Sequence, residues 1–383
     1  MYDVVIIGGG IAGSITGRFI KGNVLIVEEH KSIGTPLQCA GIISVRAAKE
    51  LDFPKGLVNK VRGAYIYSKN SMLEIESKEI KAHVYERKVM DKDIAIKTAK
   101  KCDYLLKAYA TVEREKNNYI VKVKHFDEEY TFKPKVVVGA DGVKSTIGKK
   151  ANLIKNKDRE ILSSCQFEFV NVSVDDDFVY IFFDKKYTEN FFIWIIPMGK
   201  DRVRVGLLSK GNAHNNLINF IENHPVAKDI LKKATPIEFS SGALPIGYIN
   251  RSVRDNLLLV GDAACHVKPL SGGGIYYSTL AGKIAGNIIT DYLNGEENLK
   301  NYDREWKRVF GDDIKKGLWL RKIIYRLDNK TLDKIFNKLK DSEIIDYINK
   351  YGDIEEQAKI TSHVFDYLKN KFGFNLLKFL FFK

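Results

Sequence analysis

Three glycines mark the first place where this chain can do chemistry. In "YDVVIIGGGIAGSITGRFI", Gly8, Gly10 and Gly13 stand as G-x-G-x-x-G, with Ala12 inside the same loop. The first glycine allows a tight turn, the second lets backbone approach a pyrophosphate, and the third lets a helix pack closely on a strand. Glu28 closes "NVLIVEE", 15 positions after Gly13, near where a ribose-binding carboxylate belongs. Two further acids end apolar runs, Asp141 in "KVVVGADGVKSTIGKKA" and Asp262 in "NLLLVGDAACHVKPLSGGG". Binding of a dinucleotide is the chemistry these residues share.

The elements that must hold them follow from the same stretches. "YDVVII" is a short apolar strand, the glycines a turn, and the residues after Gly10 a helix whose positive end faces the phosphates. Residues 135–151 read as a strand running into Gly-Ala-Asp-Gly and then Ser145. Residues 256–289 read as a strand, Gly-Asp, a proline-containing loop, three glycines and a long helix. Asp262 ends its strand where a carboxylate accepts from a ribitol or ribose hydroxyl. Gly272, Gly273 and Gly274 open a helix whose free amides suit phosphate and flavin oxygens. These two stretches favour FAD over NAD.

Composition bounds the rest. With 383 residues the chain is long enough for two or three cooperating lobes, and its apolar and charged fractions are those of a globular protein. The formal charge of +14 implies a basic surface suited to an anionic partner, or simply a solvated lysine-rich one. Cys39, Cys102, Cys165 and Cys265 form no CxxC pair, so neither a metal site nor a disulfide framework is expected. No signal-peptide pattern precedes the first strand, and no apolar run reaches the roughly 20 residues that span a bilayer. The expectation is a cytoplasmic protein, and no nucleic-acid motif is present.

The glycine motif, Asp141-Gly142 and Gly261-Asp262 occur in the order seen in flavoproteins of the para-hydroxybenzoate hydroxylase type, which the chain resembles. That resemblance implies an α/β (α+β) fold. It would comprise a discontinuous Rossmann-like FAD-binding domain (1–50, 80–150 and 240–290), a mixed β-sheet substrate domain (51–79 and 151–239) and a C-terminal helical region (291–383). It implies that Asp262 reaches the ribitol side of FAD, that Arg87 leads a helix beside the flavin, and that Ala110, in the hairpin "YATVEREKNNYIVKVK", touches adenine with its backbone.

Three further stretches are similar to the geranylgeranyl reductase family, which includes archaeal digeranylgeranylglycerophospholipid reductases. "TPLQCAGIIS" resembles that family's Cys-Ala-Gly loop, placing Cys39, Ala40 and Gly41 against the flavin and the substrate. For Cys39 itself, catalysis and a small buried residue remain alternatives. "KPLSGGGIYYS" matches the family's loop at the flavin through Gly273, Gly274 and Ile275. "FFIWIIPMG" is similar to the aromatic-x-Trp-x-aromatic-Pro motif that lines a lipid cavity, with Phe192, Trp194, Ile196 and Pro197 as the substrate residues. Read as a strand, it turns Phe192, Trp194 and Ile196 one way and Phe191, Ile193 and Ile195 the other.

The resemblance implies an FAD-dependent reductase that saturates C=C bonds of isoprenoid chains by hydride transfer and protonation. Cys39 is the catalytic candidate, and His266, Tyr276 and Tyr277 are alternative proton donors; Lys268 would hold a headgroup phosphate or flavin charge. The electron donor is NAD(P)H, ferredoxin or another carrier, and the basic surface suits a small acidic carrier protein. The rivals are a flavin monooxygenase or halogenase acting on a small aromatic substrate, and a non-catalytic binding protein. The terminal "KFGFNLLKFLFFK", from Phe372 to Phe382, either lies on the cytoplasmic membrane face as a peripheral anchor or docks on the core.

Overall fold

The computed structural model describes residues 2–340 and 342–372; the lysine-punctuated apolar run (the side chain of Phe372 and residues 373–383) lies outside the described residues. Its first sheet has six strands in the order 253–254, 257–259, 136–139, 4–7, 24–27 and 103–105, parallel except for the first pair. The central strands Val4–Ile7, Val24–Val27 and Val136–Gly139 are buried throughout. A parallel sheet covered on both faces requires continuous apolar runs of this kind. Alternate residues serve the two faces. Val4, Ile6 and Ile26 pack with Ile15, Tyr277 and Ala281, from the helices Ile11–Phe19 and Ile275–Leu293. Val5, Ile7 and Val27 pack with Ala110, Val121 and Val123 of the three-stranded antiparallel sheet 108–132.

The second large sheet has seven strands in the order 235–247, 159–170, 202–209, 193–199, 178–182, 63–67 and 72–76. Its far face packs Ile193, Ile195, Val203 and Val205 against Leu217 and Phe220 of the helix Ala213–Asn223. The strands 42–44, 82–85 and 57–61 form a small antiparallel sheet of their own. The strand Thr235–Gly247 pairs with Arg159–Val170 along its whole length, so the expected boundary at 239/240 falls inside a strand of the second sheet. Strand pairing is cooperative along the ladder and does not stop where the glycine motifs resume.

After Leu293 the described chain is helical. The helices Asn329–Leu339 and Glu343–Tyr351 lie on the edge strand Met72–Glu76 and its turn. Asp333 accepts from Ser68 Oγ (2.6 Å) and Asn70 N (2.9 Å), and Asn349 Oδ1 accepts from Glu76 N (3.0 Å). Among the described residues no helix is long and apolar enough to cross a membrane.

Candidate active site

The glycine turn is built as its spacing demands. Gly8 has φ +110°, and a Cβ there would meet the Ala140 carbonyl at 2.2 Å; a Cβ on Gly13 would sit 2.0 Å from the Gly8 carbonyl. Nothing lies within 4 Å of a Cβ built on Gly10, so open space faces the start of the helix Ile11–Phe19, which no side chain caps. The helix Ile275–Leu293 likewise starts at Gly274 without a side-chain cap. Two uncapped helix starts, with Ser145 Oγ donating to the Ala263 carbonyl (3.0 Å) to tie the second and third motifs together, fit a dinucleotide and its flavin. Glu28 sits at the same turn, its carboxylate accepting from Gly9 N (2.8 Å) and from His30 N (2.9 Å).

One cavity of about 930 Å³ runs from this turn into the second sheet. At the near end it is lined by Gly10, Ala12, Cys39, Ala40, Gly41, Arg87, Asp262, Gly273, Gly274 and Ile275. Burial raises the pKa of Asp262 to about 6, against the pull of Arg87 and Arg159. Arg87 donates to both oxygens of Asp91 (2.9 and 2.8 Å). Burial opposes its charge, yet Asp91, and after it the neighbouring Cys39, hold its pKa above the usual value. Asp141 stands just behind this end, one oxygen accepting from Ile147 N (2.9 Å) and the other buried without a partner.

Beyond the Cys39 loop the lining turns apolar. Phe192, Trp194 and Ile196 form one wall, with Val179, Ile181 and Phe183 beside them. Leu332, Phe336 and Leu339 face them from one C-terminal helix, and Val364, Phe365 and Leu368 from the last described helix, Gln357–Phe372. Sequence reasoning missed this far end. The spacing 332, 335, 336, 339 is readable as an amphipathic helix, but nothing in it says which apolar surface the stripe meets.

Several expected residues fall elsewhere. Pro197 does not line the cavity: one step along the strand from Ile196, it belongs to the opposite face, and its carbonyl accepts from Asn59 (3.2 Å). Phe191 precedes the strand, which begins at Ile193, and stacks on Tyr325 on the cavity side instead of joining Ile193 and Ile195. His266 is wholly buried against Trp306 and Phe310, outside the cavity; burial lowers its pKa to about 3, so it is a neutral packing group and no proton donor. Tyr277 stacks on Phe310 and is also outside the lining, whereas Tyr276 lines it. Lys268 lines it too, but pairs with Glu355 at 2.8 Å, so its charge is already answered within the chain. Ala110 does not line this cavity; its strand starts beside Glu28, where Ala108 N donates to the Glu28 carbonyl (2.9 Å).

Known proteins resemble this chain along most of its length. The model of the FAD binding domain family matches residues 1–311. An uncharacterized protein of Methanocaldococcus jannaschii is 62% identical over 98% of both chains. The digeranylgeranylglycerophospholipid reductase of the same organism is 35% identical, over 89% of this chain and 91% of its own. The crystal structure of a geranylgeranyl bacteriochlorophyll reductase-like protein from Thermoplasma acidophilum superposes with a TM-score of 0.85 at 27% identity, covering 96% of this chain and 98% of that one. The chain belongs to the geranylgeranyl reductase family of FAD-binding oxidoreductases, and its cofactor is FAD.

Proposed function

We propose that this flavoenzyme saturates isolated C=C bonds in geranylgeranyl chains, carried on an archaeal-type membrane glycerophospholipid. The observation that carries the reading is one continuous cavity: it begins at the Cys39 loop and Gly273-Gly274 and continues as an apolar chamber to Leu368. Reduced FAD supplies the hydride when bound. The protein's part is alignment, exclusion of water and a proton source. Phe192, Trp194 and Ile196 on one side and Leu332, Phe336 and Phe365 on the other grip a chain with no polar handle along its length. Cys39 is the side chain assigned to the reacting region, and Tyr276 the remaining alternative proton donor in the lining. A compact, polar-tipped pocket, as a small-aromatic monooxygenase or halogenase would need, does not match this length of apolar wall. The +14 charge supports working at an anionic membrane surface.

The test is one anaerobic experiment. The flavoprotein is reduced with dithionite, mixed with a geranylgeranyl lipid, and followed by flavin absorbance and lipid mass. Reoxidation of the flavin with a gain of two hydrogens per bond is expected. A flavin that stays reduced until oxygen enters would overturn the reading in favour of a monooxygenase.

A further inference from the structure

Beneath the Cys-Ala-Gly loop the floor of the second sheet is not apolar. In register across adjacent strands, Gln166 faces Gly206 and Glu168 faces Arg204, with Trp194 and Ile196 on the next strand beside them. Gln166, Glu168 and Arg204 are 5%, 5% and 0% exposed, an unfavourable place for charge unless every group is answered. Glu168 is answered within the sheet by Arg202 and Arg204, and the other partners come from the flavin side. Arg204 donates to the carbonyls of Ala40 and Tyr85 (3.0 Å each), to the Glu86 carboxylate (2.9 Å) and to Glu168 (3.2 Å). Gln166 Nε2 donates to the Cys39 carbonyl (3.3 Å). Glu86 in turn caps the helix Arg87–Ala99, whose first residue lies beside Cys39. The loop rests directly on the guanidinium: a Cβ on Gly41 (φ +79°) would be 2.8 Å from Arg204 Nη1.

We propose that Arg204, with Gln166, is the positioning residue of the active site, fixing Cys39, Ala40 and Gly41 between the flavin and the lipid chamber. A planar guanidinium answers several carbonyls and carboxylates at fixed angles, which a lysine ammonium does not. One group thereby sets the loop's central carbonyl, the strand end it pairs with and the start of the Arg87 helix. Only the catalytic consequence rests on the reductase reading; the ordering of the loop does not.

Cys39 is half-buried and the other three cysteines are buried, so alkylation of Cys39 by iodoacetamide in the FAD-loaded protein reports directly on the loop. Gln166→Met removes the amide at nearly constant volume, and Arg204→Lys keeps the charge but loses the fork. Each is expected to speed alkylation by about tenfold, the scale of one or two lost hydrogen bonds, with kcat reduced and KM within about twofold. Arg204→Met should exceed both; if it fails to fold, the other two variants decide. Folded, FAD-loaded variants whose alkylation rate equals that of the wild type would overturn the proposal. Faster alkylation with unchanged turnover would uphold the ordering of the loop and overturn Arg204 as a positioning residue for catalysis.

Discussion

Cutting the Lys268–Glu355 ion pair should loosen the flavin loop as well as the fold. The partners are 87 residues apart and join the glycine loop to the segment before the last described helix. Their side chains are only 8% and 2% exposed. Lys268 also closes the loop itself, donating from its backbone to the Gly273 carbonyl (3.1 Å) and accepting from Gly272 N (2.9 Å). Removing one charge leaves the other buried, which costs about 3–5 kcal/mol. In Glu355→Leu the ammonium keeps the Ile354 carbonyl at 3.2 Å, which points to the low end of that range, about 3 kcal/mol. Lys268→Met strands a more deeply buried carboxylate and should cost at least as much. The double variant buries no charge, so a cycle of the three should show a coupling of about 2 kcal/mol or more. The assay is urea unfolding at fixed excess FAD, followed by flavin fluorescence, since bound cofactor shifts apparent stability. Single costs that add to the double within about 0.5 kcal/mol would refute the pairing as a latch.

Other expectations follow from the same geometry. Gly13→Ala drives a Cβ onto the Gly8 carbonyl at 2.0 Å, so the protein should purify without FAD, as the ratio of flavin to protein absorbance will show. In FAD-free protein, Asp262 contributes stability below its unfolded value of 3.8 that is lost as pH rises through about 6, roughly 3 kcal/mol. His266 does the opposite: its contribution is present above 6.5 and is lost as pH falls towards about 3, roughly 4–5 kcal/mol. Melting curves at pH 4.5 and 6.5 should therefore show Asp262→Asn relatively more stable than wild type at the higher pH, and His266→Gln at the lower. Phe336→Trp, at the far end of the chamber, should fill part of it. It should slow turnover of full-length geranylgeranyl lipid more than of a shorter prenyl analogue, with FAD content unchanged; equal loss on both would place the chain elsewhere.

Local chemistry was legible without the fold. Gly8, Gly10, Gly13 and Asp262 sit at a tight turn and a strand end, features set by near neighbours in the chain, and the apolar runs at 4–7, 24–27 and 136–139 read as short strands from their length and the turns that follow them. The Cys39 loop and the wall of Phe192, Trp194 and Ile196 were likewise readable, through their likeness to a family and the two-residue period of a strand. Side-chain direction beyond that period was not. Nothing local distinguishes Tyr276, on the cavity, from Tyr277, stacked on Phe310, or tells that His266 turns away into Trp306. In "RVRVGLLS" the arginines alternate as if facing solvent, and only the loop laid across that face makes Arg204 the most buried charge at the site. The length of the chamber was decided last and farthest away, by C-terminal helices whose apolar stripes say that they pack but not against what. Sequence specifies which surfaces must leave water; which surface covers which depends on contacts between residues far apart in the chain, and those exist only once it has folded.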